Sequence, residues 1–426
     1  IHPGYGFLSE RAELAAACVD AGLTFIGPPA EVIARMGSKL EARRLMEAAG
    51  VPCVPGARPA DQSIDALRAA AAEVGYPLLV KASAGGGGKG MRTVDAPETL
   101  DLALGAARRE AEAAFGDGTL YLERRLLRAR HIEVQVIADA HGAVLHLAER
   151  ECSLQRRHQK VIEEAPSPIV SPLLRRRLGA AAVAAARAAD YRNAGTIEFL
   201  VEGEDDEARF YFLEMNTRLQ VEHPVTELAL GLDLVHLQLD VAAGLALGLR
   251  QDEVVPRGHA LECRIYAESP ERDFLPQAGP VLRYREPSGP GVRVDSGIRE
   301  GDEITPDFDP LLAKLIVLAP SRALALARAR QALADLVLLG LHTNVGYLRR
   351  ALAHPDVQRG AFHTGWLAEH HDELTMSTPD LDDLAAVVAA AQRRLPAALQ
   401  RSRASAAPPS VVEAADPWTA LGAWRG

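Results

Sequence analysis

The sequence lacks several features that mark whole classes of protein. Its 426 residues contain no apolar run of about 18 residues, so no membrane span is predicted. The net charge of −10 argues against a general nucleic-acid binder. The four cysteines (Cys18, Cys53, Cys152 and Cys263) form no C-x-x-C pair, which argues against a zinc site or a redox pair. Scattered cysteines favour reduced thiols and a cytoplasmic location, or the mitochondrial matrix in a eukaryote.

Lysine is also scarce. The 47 basic residues comprise 5 lysines and, by subtraction, 42 arginines. The lysines are Lys39, Lys81, Lys89, Lys160 and Lys314. Lysine offers a compact charge on a flexible stem, whereas arginine offers a fixed planar fork. These few lysines are therefore candidates for positions where arginine would fail.

What is present indicates a globular protein of the α/β (α+β) class. Hydrophobic residues make up 48% and charged residues 24%. The patterns predict helices at 9–22, 38–49, 63–74, 97–115, 172–190, 233–243, 321–335, 344–353 and 380–393. Strands are predicted at 23–26, 77–82, 91–95, 120–123, 131–138 and 143–148, with a hairpin at 196–216 and an antiparallel sheet within 259–318. A linker is predicted at 395–416.

A glycine-rich loop lies between two predicted strands, at 84–90. Its four glycines, Gly85 to Gly88, leave backbone amides open to phosphate oxygens. A P-loop would need Ser or Thr after the lysine and then a helix, whereas Lys89 precedes Gly90 and a strand. The loop is therefore predicted to be a flap over a nucleotide, with Lys81 reaching the phosphates. The alternative is a plain hairpin tip.

The predicted hairpin at 196–216 carries a candidate metal site. If Glu198 pairs opposite Glu214, both carboxylates project to one face. Together with Asn216 they offer the oxygen ligands that suit Mg²⁺ or Mn²⁺. The alternative is an exposed hairpin face.

Polar residues continue beyond the hairpin with a period of two. They are Glu214, Asn216, Arg218, Gln220 and Glu222. If the chain stays extended, all five project to one side over ~26 Å, at about 3.3 Å per residue, and could line a substrate path. The alternative is a solvated strand face. The basic run within 149–166 suggests a further anion site.

Four motifs together resemble the biotin carboxylase family. They are the turn at 2–10, the lysine and glycine segment at 81–91, the run at 151–166 and the segment at 214–227. The resemblance covers about residues 1–375. It implies an ATP-grasp fold, with the remnant of an N-terminal Rossmann-like domain at 1–27, linker helices at 28–60, a lid at 61–125, a C-terminal biotin carboxylase part at 126–375 and a linker at 376–426. The chain is expected to be cut at both ends.

The resemblance also implies roles for individual residues. ATP would contact Lys39, Lys81, Gly85, Gly86, Gly87, Gly88, Glu123, Leu126, His131, Gln155 and His158. Two Mg²⁺ or Mn²⁺ ions would bind Glu198, Glu214 and Asn216. Bicarbonate would bind Arg218, Gln220 and Val221. Lys160 would lie near the transferred phosphate, Glu222 would be the base, and Arg293 would stabilise the biotin enolate.

The implied activity is ATP-dependent carboxylation of biotin by bicarbonate through carboxyphosphate. Biotin would be a substrate on a carrier domain, not attached to this chain. A carboxyltransferase subunit is the expected partner, with a homodimer or larger complex possible in the family. The alternatives are another ATP-grasp carboxylate ligase and a catalytically inert nucleotide-binding fragment.

Overall fold

Two antiparallel sheets organise the protein, which a computed structural model describes for residues 1–83, 91–157 and 159–375. The helices of these residues are α1 (Ala12–Asp20), α2 (Ala30–Gly37), α3 (Lys39–Ala48), α4 (Ile64–Val74), α5 (Leu100–Phe115), α6 (Pro172–Ala188), α7 (His223–Leu230), α8 (Leu234–Ala242), α9 (Arg322–Asp335), α10 (Val345–Ala353), α11 (Pro355–Arg359), α12 (Trp366–Glu369) and α13 (His371–Leu374).

The strands lie in several runs between these helices along the chain. They are β1 (Gly56–Ala57), β2 (Leu78–Ala82), β3 (Arg92–Val94), β4 (Leu120–Arg124), β5 (Arg130–Ala138), β6 (Val144–Arg156), β7 (Gln159–Ala165), β8 (Asn193–Glu202), β9 (Arg209–Asn216), β10 (His259–Tyr266), β11 (Glu268–Ser269), β12 (Leu275–Pro276), β13 (Gly279–Pro280), β14 (Arg283–Arg285), β15 (Val292–Ser296), β16 (Glu303–Ile304), β17 (Leu311–Ala319) and β18 (Val337–Leu339).

The larger sheet has eight strands in the order β15-β17-β10-β7-β6-β5-β8-β9. One face packs on helices. Ile132, Val134 and Val136 of β5 join the core formed with α6, while Leu261 and Cys263 of β10 join the core formed with α9 and α10. Because side chains alternate along a strand, the residues between these project to the opposite face.

That opposite face carries buried polar and charged side chains beneath α7. On β5 they are His131, Glu133 and Gln135, and on β10 they are Glu262 and Arg264. A charged side chain almost never lies fully buried unless it is paired. This face is therefore where a site must be sought.

The smaller sheet has four strands in the order β1-β4-β2-β3. Its core is formed with α4 and α5 and contains Leu67, Leu78 and Leu104. Ser63 caps α4, its hydroxyl accepting from the backbone N–H of Ala66 at 3.3 Å. The predicted unit at 61–125 contains three of these strands, and β1 joins from just before it. The domain boundaries remain predictions.

Most predicted elements are confirmed, with some differences. Residues 23–26 form no strand, because their backbone hydrogen bonds go to isolated residues: Leu23 N–H to Cys18 O at 2.8 Å, Ile26 N–H to Ile1 O at 2.9 Å, and the Ile1 amino group to Thr24 O at 2.6 Å. Helix α1 begins at Ala12, after Arg11, rather than at Ser9, whose side chain is buried. The sequence patterns did not predict α7, and α2 was expected only as one of the linker helices at 28–60.

The extended path predicted over 214–222 ends early. Strand β9 stops at Asn216, and Glu222 lies in a turn that enters α7. Pro224 lies in the first turn of that helix, where a missing N–H costs nothing. The five polar residues therefore do not form a single straight row.

Some predictions concern positions outside the described residues. They are the flap glycines Gly85 to Gly88, His158, the helix at 380–393 and the linker at 395–416. Within the described residues, every helix is too short or too polar to cross a lipid bilayer.

Candidate functional site

Lys160 is the centre of the buried charges. Its ammonium lies between three carboxylates, donating to Glu133 Oε2, to Glu198 Oε1 at 2.8 Å and to Glu222 Oε1 at 2.6 Å. These partners come from β5, β8 and the turn before α7, while Lys160 itself is in β7. We call these four residues the Lys160 cluster.

Two buried arginines complete the surroundings of this cluster. Arg264 donates from Nη2 to Glu222 Oε2 at 2.8 Å and from Nε to Glu163 Oε1 at 2.6 Å. Arg150 donates from Nε to Glu133 Oε1 at 2.5 Å. Each carboxylate near Lys160 therefore also has another cation or polar partner, as a buried charge requires.

These ion pairs favour the charged forms of Glu222 and Lys160. Burial alone would raise the pKa of Glu222, but Lys160, Arg264 and Arg150 hold it well below its ordinary value. Burial would lower the pKa of Lys160, but Glu133, Glu198 and Glu222 raise it well above its ordinary value. At neutral pH, Glu222 is an ionised carboxylate that can accept a proton.

The predicted pairing of Glu198 with Glu214 across the hairpin is confirmed, while their role as metal ligands stays a prediction. Glu198 lies directly opposite Glu214 across β8 and β9. Glu198 is buried, and His131 Nε2 lies 2.8 Å from its Oε2. Glu214 instead projects into an open cleft and is exposed to solvent.

Asn216 and Gln220 both approach Glu198. The Asn216 amide donates to Glu198 Oε1 at 2.8 Å, and the Gln220 amide lies 3.4 Å from the same oxygen. Arg218 donates to Gln220 Oε1 at 3.0 Å and to Asn216 Oδ1 at 3.2 Å. The Val221 carbonyl accepts from Lys314 Nζ at 2.8 Å. The polar residues of the predicted substrate path therefore converge, although the strand ends.

A residue near the start of the chain holds Arg218 from the other side. Glu10 accepts from Arg218 Nε and from the backbone N–H of Thr217, each at 3.1 Å. The sequence reading did not assign Glu10 a role. Its only signal was its place in the motif at 2–10.

A cleft of about 480 Å³, counted with its open mouth, lies between the two sheets. Among its lining residues are Lys39, Lys81, Glu123 and Glu214, four of the residues predicted to contact ATP or metal. Lys81 donates to Glu123 Oε2, while burial and the charge of Lys81 lower the pKa of Lys39. Cationic and anionic side chains thus share one opening.

The remaining ATP predictions lie at different places. Leu126 is half-buried in the loop after β4, near the cleft residue Glu123 in the chain. Gln155 is buried on β6, opposite Lys160. His131 reaches Glu198, as described above. None of these placements tests a contact with ATP.

The structure does not bring Arg293 into the Lys160 cluster. Its guanidinium binds Asp295 at 2.8 and 2.9 Å and Glu227 Oε2 at 2.8 Å. The arginine that contacts Glu222 is Arg264, which the sequence reading did not single out. The sequence contains an indication of this site, because Glu262 and Arg264 are charged residues spaced by two within a mostly apolar strand. The enolate role of Arg293 stays a prediction.

Models of protein families match nearly all of the described chain. The biotin carboxylase N-terminal domain matches residues 1–33, and the ATP-binding domain of the carbamoyl-phosphate synthase L chain matches 38–250. The biotin carboxylase C-terminal domain matches 262–369.

Two curated relatives illustrate the similarity. A biotin carboxylase of Halalkalibacterium halodurans is 51% identical over 89% of this chain and 83% of its own length. The methylcrotonoyl-CoA carboxylase α subunit of Glycine max is 50% identical over 88% of this chain, but over 51% of its own length. The chain thus spans about half the length of such α subunits.

Solved structures agree with the fold. The biotin carboxylase domain of Hydrogenobacter thermophilus 2-oxoglutarate carboxylase, a dimer in complex with MgADP, ADP and bicarbonate, superposes with a TM-score of 0.83. It is 44% identical, covering 89% of this chain and 83% of that one. A Campylobacter jejuni biotin carboxylase in complex with a β,γ-ATP compound gives a TM-score of 0.82 at 43% identity, covering 87% of this chain and 82% of that one.

Proposed function

Because the chain belongs to the biotin carboxylase family and has its ATP-grasp fold, we propose that it catalyses ATP-dependent carboxylation of biotin by bicarbonate. ATP would phosphorylate bicarbonate to carboxyphosphate, which would then pass its carboxyl group to biotin and release phosphate. The observation that carries this proposal is the Lys160 cluster. It holds an ionised base, Glu222, beside the opposed carboxylates Glu198 and Glu214.

ATP would lie in the cleft between the sheets. Lys39 and Lys81, which line it, would meet the phosphates, and Glu123 and Leu126 would face the adenine. Phosphoryl transfer relies on positioning and charge neutralisation rather than on covalent help from the protein. Lys160, with His131 and Gln155 on neighbouring strands, would complete the site at the transferred phosphate.

The donor set fits the Mg²⁺ or Mn²⁺ ions that the family implies. Glu198 and Glu214 face each other, and Glu214 makes no salt bridge within the described part of the chain. Carboxylate and amide oxygens are the ligands these hard cations prefer, so Glu198, Glu214 and Asn216 would hold them. Bound there, the ions would neutralise charge on the phosphates.

Bicarbonate would bind where Arg218, Gln220 and the backbone of Val221 converge. Glu222 would take its proton, which requires the ionised state that Lys160 and Arg264 maintain. Arg264 contacts Glu222 directly and would help to keep that carboxylate ionised. Arg293, which is partly exposed beside Glu227 and Asp295, would stabilise the biotin enolate.

The wider role is that of the first half-reaction of an acyl-CoA carboxylase. Biotin would arrive on a carrier domain, and a carboxyltransferase subunit would use the carboxybiotin. Dimer formation is proposed by analogy with the Hydrogenobacter thermophilus domain, which is a dimer. The cytoplasm, or the mitochondrial matrix in a eukaryote, is the proposed location.

The test measures ADP release by the 426-residue chain from MgATP, with bicarbonate and free biotin, beside a titration of MgATP binding. Release is expected to need both co-substrates and to fall sharply in Glu222→Gln, which keeps the shape of the side chain, while the exposed-site variant Glu204→Gln behaves like the parent. A folded chain that does not bind MgATP, or that hydrolyses it independently of bicarbonate and biotin, would overturn the proposal.

A further inference from the structure

The carboxylate of Glu123 is held between two cations at the edge of the cleft. Its Oε1 accepts from Arg43 Nη1 at 3.0 Å, and its Oε2 accepts from Lys81 Nζ. The Glu123 side chain is 11% exposed, so little water can substitute for a lost partner. Both oxygens therefore depend on protein cations.

Arg43 is anchored in two other directions as well. Its Nε donates to Glu47 Oε1 at 2.8 Å, and its Nη2 donates to the Val54 carbonyl at 2.7 Å. A planar guanidinium bonded on three sides has no freedom to follow a ligand. Lys81, by contrast, carries its charge on a flexible stem. Among the described residues, Glu123 is the only hydrogen-bond acceptor of its ammonium group.

The two cations thus have different capacities to move. On the proposed function, Lys81 must turn from Glu123 to the phosphates of the nucleotide. A largely buried carboxylate stripped of all partners is strongly unfavourable, so this exchange would be opposed if Lys81 were the only cation. With Arg43 in place, Glu123 keeps one charge-assisted hydrogen bond throughout.

We propose that Arg43 is a positioning residue of the nucleotide site, which keeps Glu123 fixed and paired while Lys81 transfers to the phosphates. This inference rests on the proposed function. It assigns Arg43 an effect on ATP binding without any contact between Arg43 and ATP. The effect must therefore pass through the negative charge of Glu123.

The experiment is a double-mutant cycle on the full chain, read out by MgATP titration. Arg43→Met is expected to weaken MgATP binding about tenfold, the equivalent of one charge-assisted hydrogen bond. Arg44→Met, which removes an exposed arginine of the same helix, is the matched control and should bind like the parent. In a Glu123→Gln background, Arg43→Met should change the affinity by less than about threefold, because a neutral amide needs no cation.

Each outcome bears on one proposal. If the parent does not bind MgATP, the proposed function fails first. If the parent binds and Arg43→Met matches Arg44→Met, the inference on Arg43 fails alone. A tenfold loss that persists with Glu123→Gln would also overturn it, since Arg43 would then act on ATP directly or through the fold. Should Arg43→Met not fold, Arg43→Gln provides the same comparison, and parental affinity in that variant would overturn the inference.

Discussion

At the scale of single residues, the site is a network of buried charges that neutralise one another. Lys160 is shared by Glu133, Glu198 and Glu222, and Arg264 joins Glu222 to Glu163. Removing one partner from such a network leaves another charge buried and unpaired. Substitutions here must therefore be conservative in shape to report on chemistry rather than on folding.

Glu222→Gln keeps the shape of the side chain but removes the proposed base. Carboxylation should fall about 10²–10⁴-fold, the usual contribution of a general base. MgATP affinity should stay within about twofold, since Glu222 is not a lining residue of the cleft. Initial-rate assays and nucleotide titrations would check this against Glu204→Gln, in an exposed turn. An active variant would show that Glu222 is structural.

Glu262 presents a different situation, because neither of its carboxylate oxygens has a hydrogen-bond partner in the described residues. Burial raises its pKa well above the ordinary value, Lys314 and Arg264 oppose this, and Glu163 and Glu222 add to it. Glu163 lies opposite Glu262 on the neighbouring strand. Burial raises the pKa of Glu163 to about 7, although the charge of Arg264 acts to lower it. The folded protein thus holds the proton of Glu262 up to a higher pH than the unfolded chain does.

Glu262→Gln should therefore stabilise the protein increasingly as the pH rises. The pKa of Glu262 is higher in the folded protein than in the unfolded chain, where it is about 4.5. Above that pH the unfolded chain releases the proton first, so the parent protein loses stability until the pH passes the folded pKa. The difference in free energy of unfolding between variant and parent should be larger at pH 8 than at pH 5. Urea denaturation at both pH values would measure it, with the exposed Glu73→Gln as control. A difference independent of pH would mean that Glu262 is ionised in the folded protein.

At the scale of elements, the alternation of side chains along β5, β8 and β10 decides which residues can meet. One face of the sheet packs on α6 and α9, so every second residue is apolar. The other face receives the charges. The pairing register of β8 and β9 places Glu198 opposite Glu214.

Glu198→Gln and Glu214→Gln should each raise the Mg²⁺ concentration needed for half-maximal turnover. Loss of an anionic oxygen weakens binding of a hard cation. Glu214→Gln is the cleaner variant, because Glu198 also bonds Lys160 and Asn216. Activity would be titrated with MgCl₂ at fixed MgATP, with Glu207→Gln in the turn of the same hairpin as control. Parental Mg²⁺ dependence in both variants would make the carboxylates structural.

At the scale of the whole molecule, the positions of the lysines determine how biotin can be supplied. Lys160 and Lys314 are bound within the large sheet, and Lys39 and Lys81 line the cleft. Lys89 lies outside the described residues. In the family, a carrier presents its lysine on an exposed turn, typically between two methionines, and no lysine here has that neighbourhood.

We therefore expect this chain to carry no biotin of its own. Expressed together with a biotin ligase, it should give no streptavidin-reactive band at 45.6 kDa. A carrier protein expressed in the same cells provides the positive control. A labelled band would contradict the prediction and would direct attention to Lys89.

The sequence by itself determined the local structure and the chemical character of the site. Helices are predicted at 38–49 and 63–74, and Ser38 and Ser63 cap α3 and α4 there, because a cap needs only neighbouring residues. The hairpin of β8 and β9 was predicted from the polar turn between its strands, but Glu198 meets Glu214 only because the pairing shifts by one residue between Glu198 and Phe199. The lysines, glycines and carboxylates of the four motifs identified the family.

Only the tertiary structure decided which charges meet. Lys160 and Glu222 are 62 residues apart, Arg264 and Glu222 are 42 apart, and Arg218 and Glu10 are 208 apart. No local pattern encodes such pairs, because they form when strands distant in the chain become neighbours in a sheet. For the same reason Arg264, rather than Arg293, reaches Glu222, and Arg43 of α3 reaches Glu123 of β4. Burial then makes each pairing obligatory, since a charge removed from water must find its counter-charge within the protein.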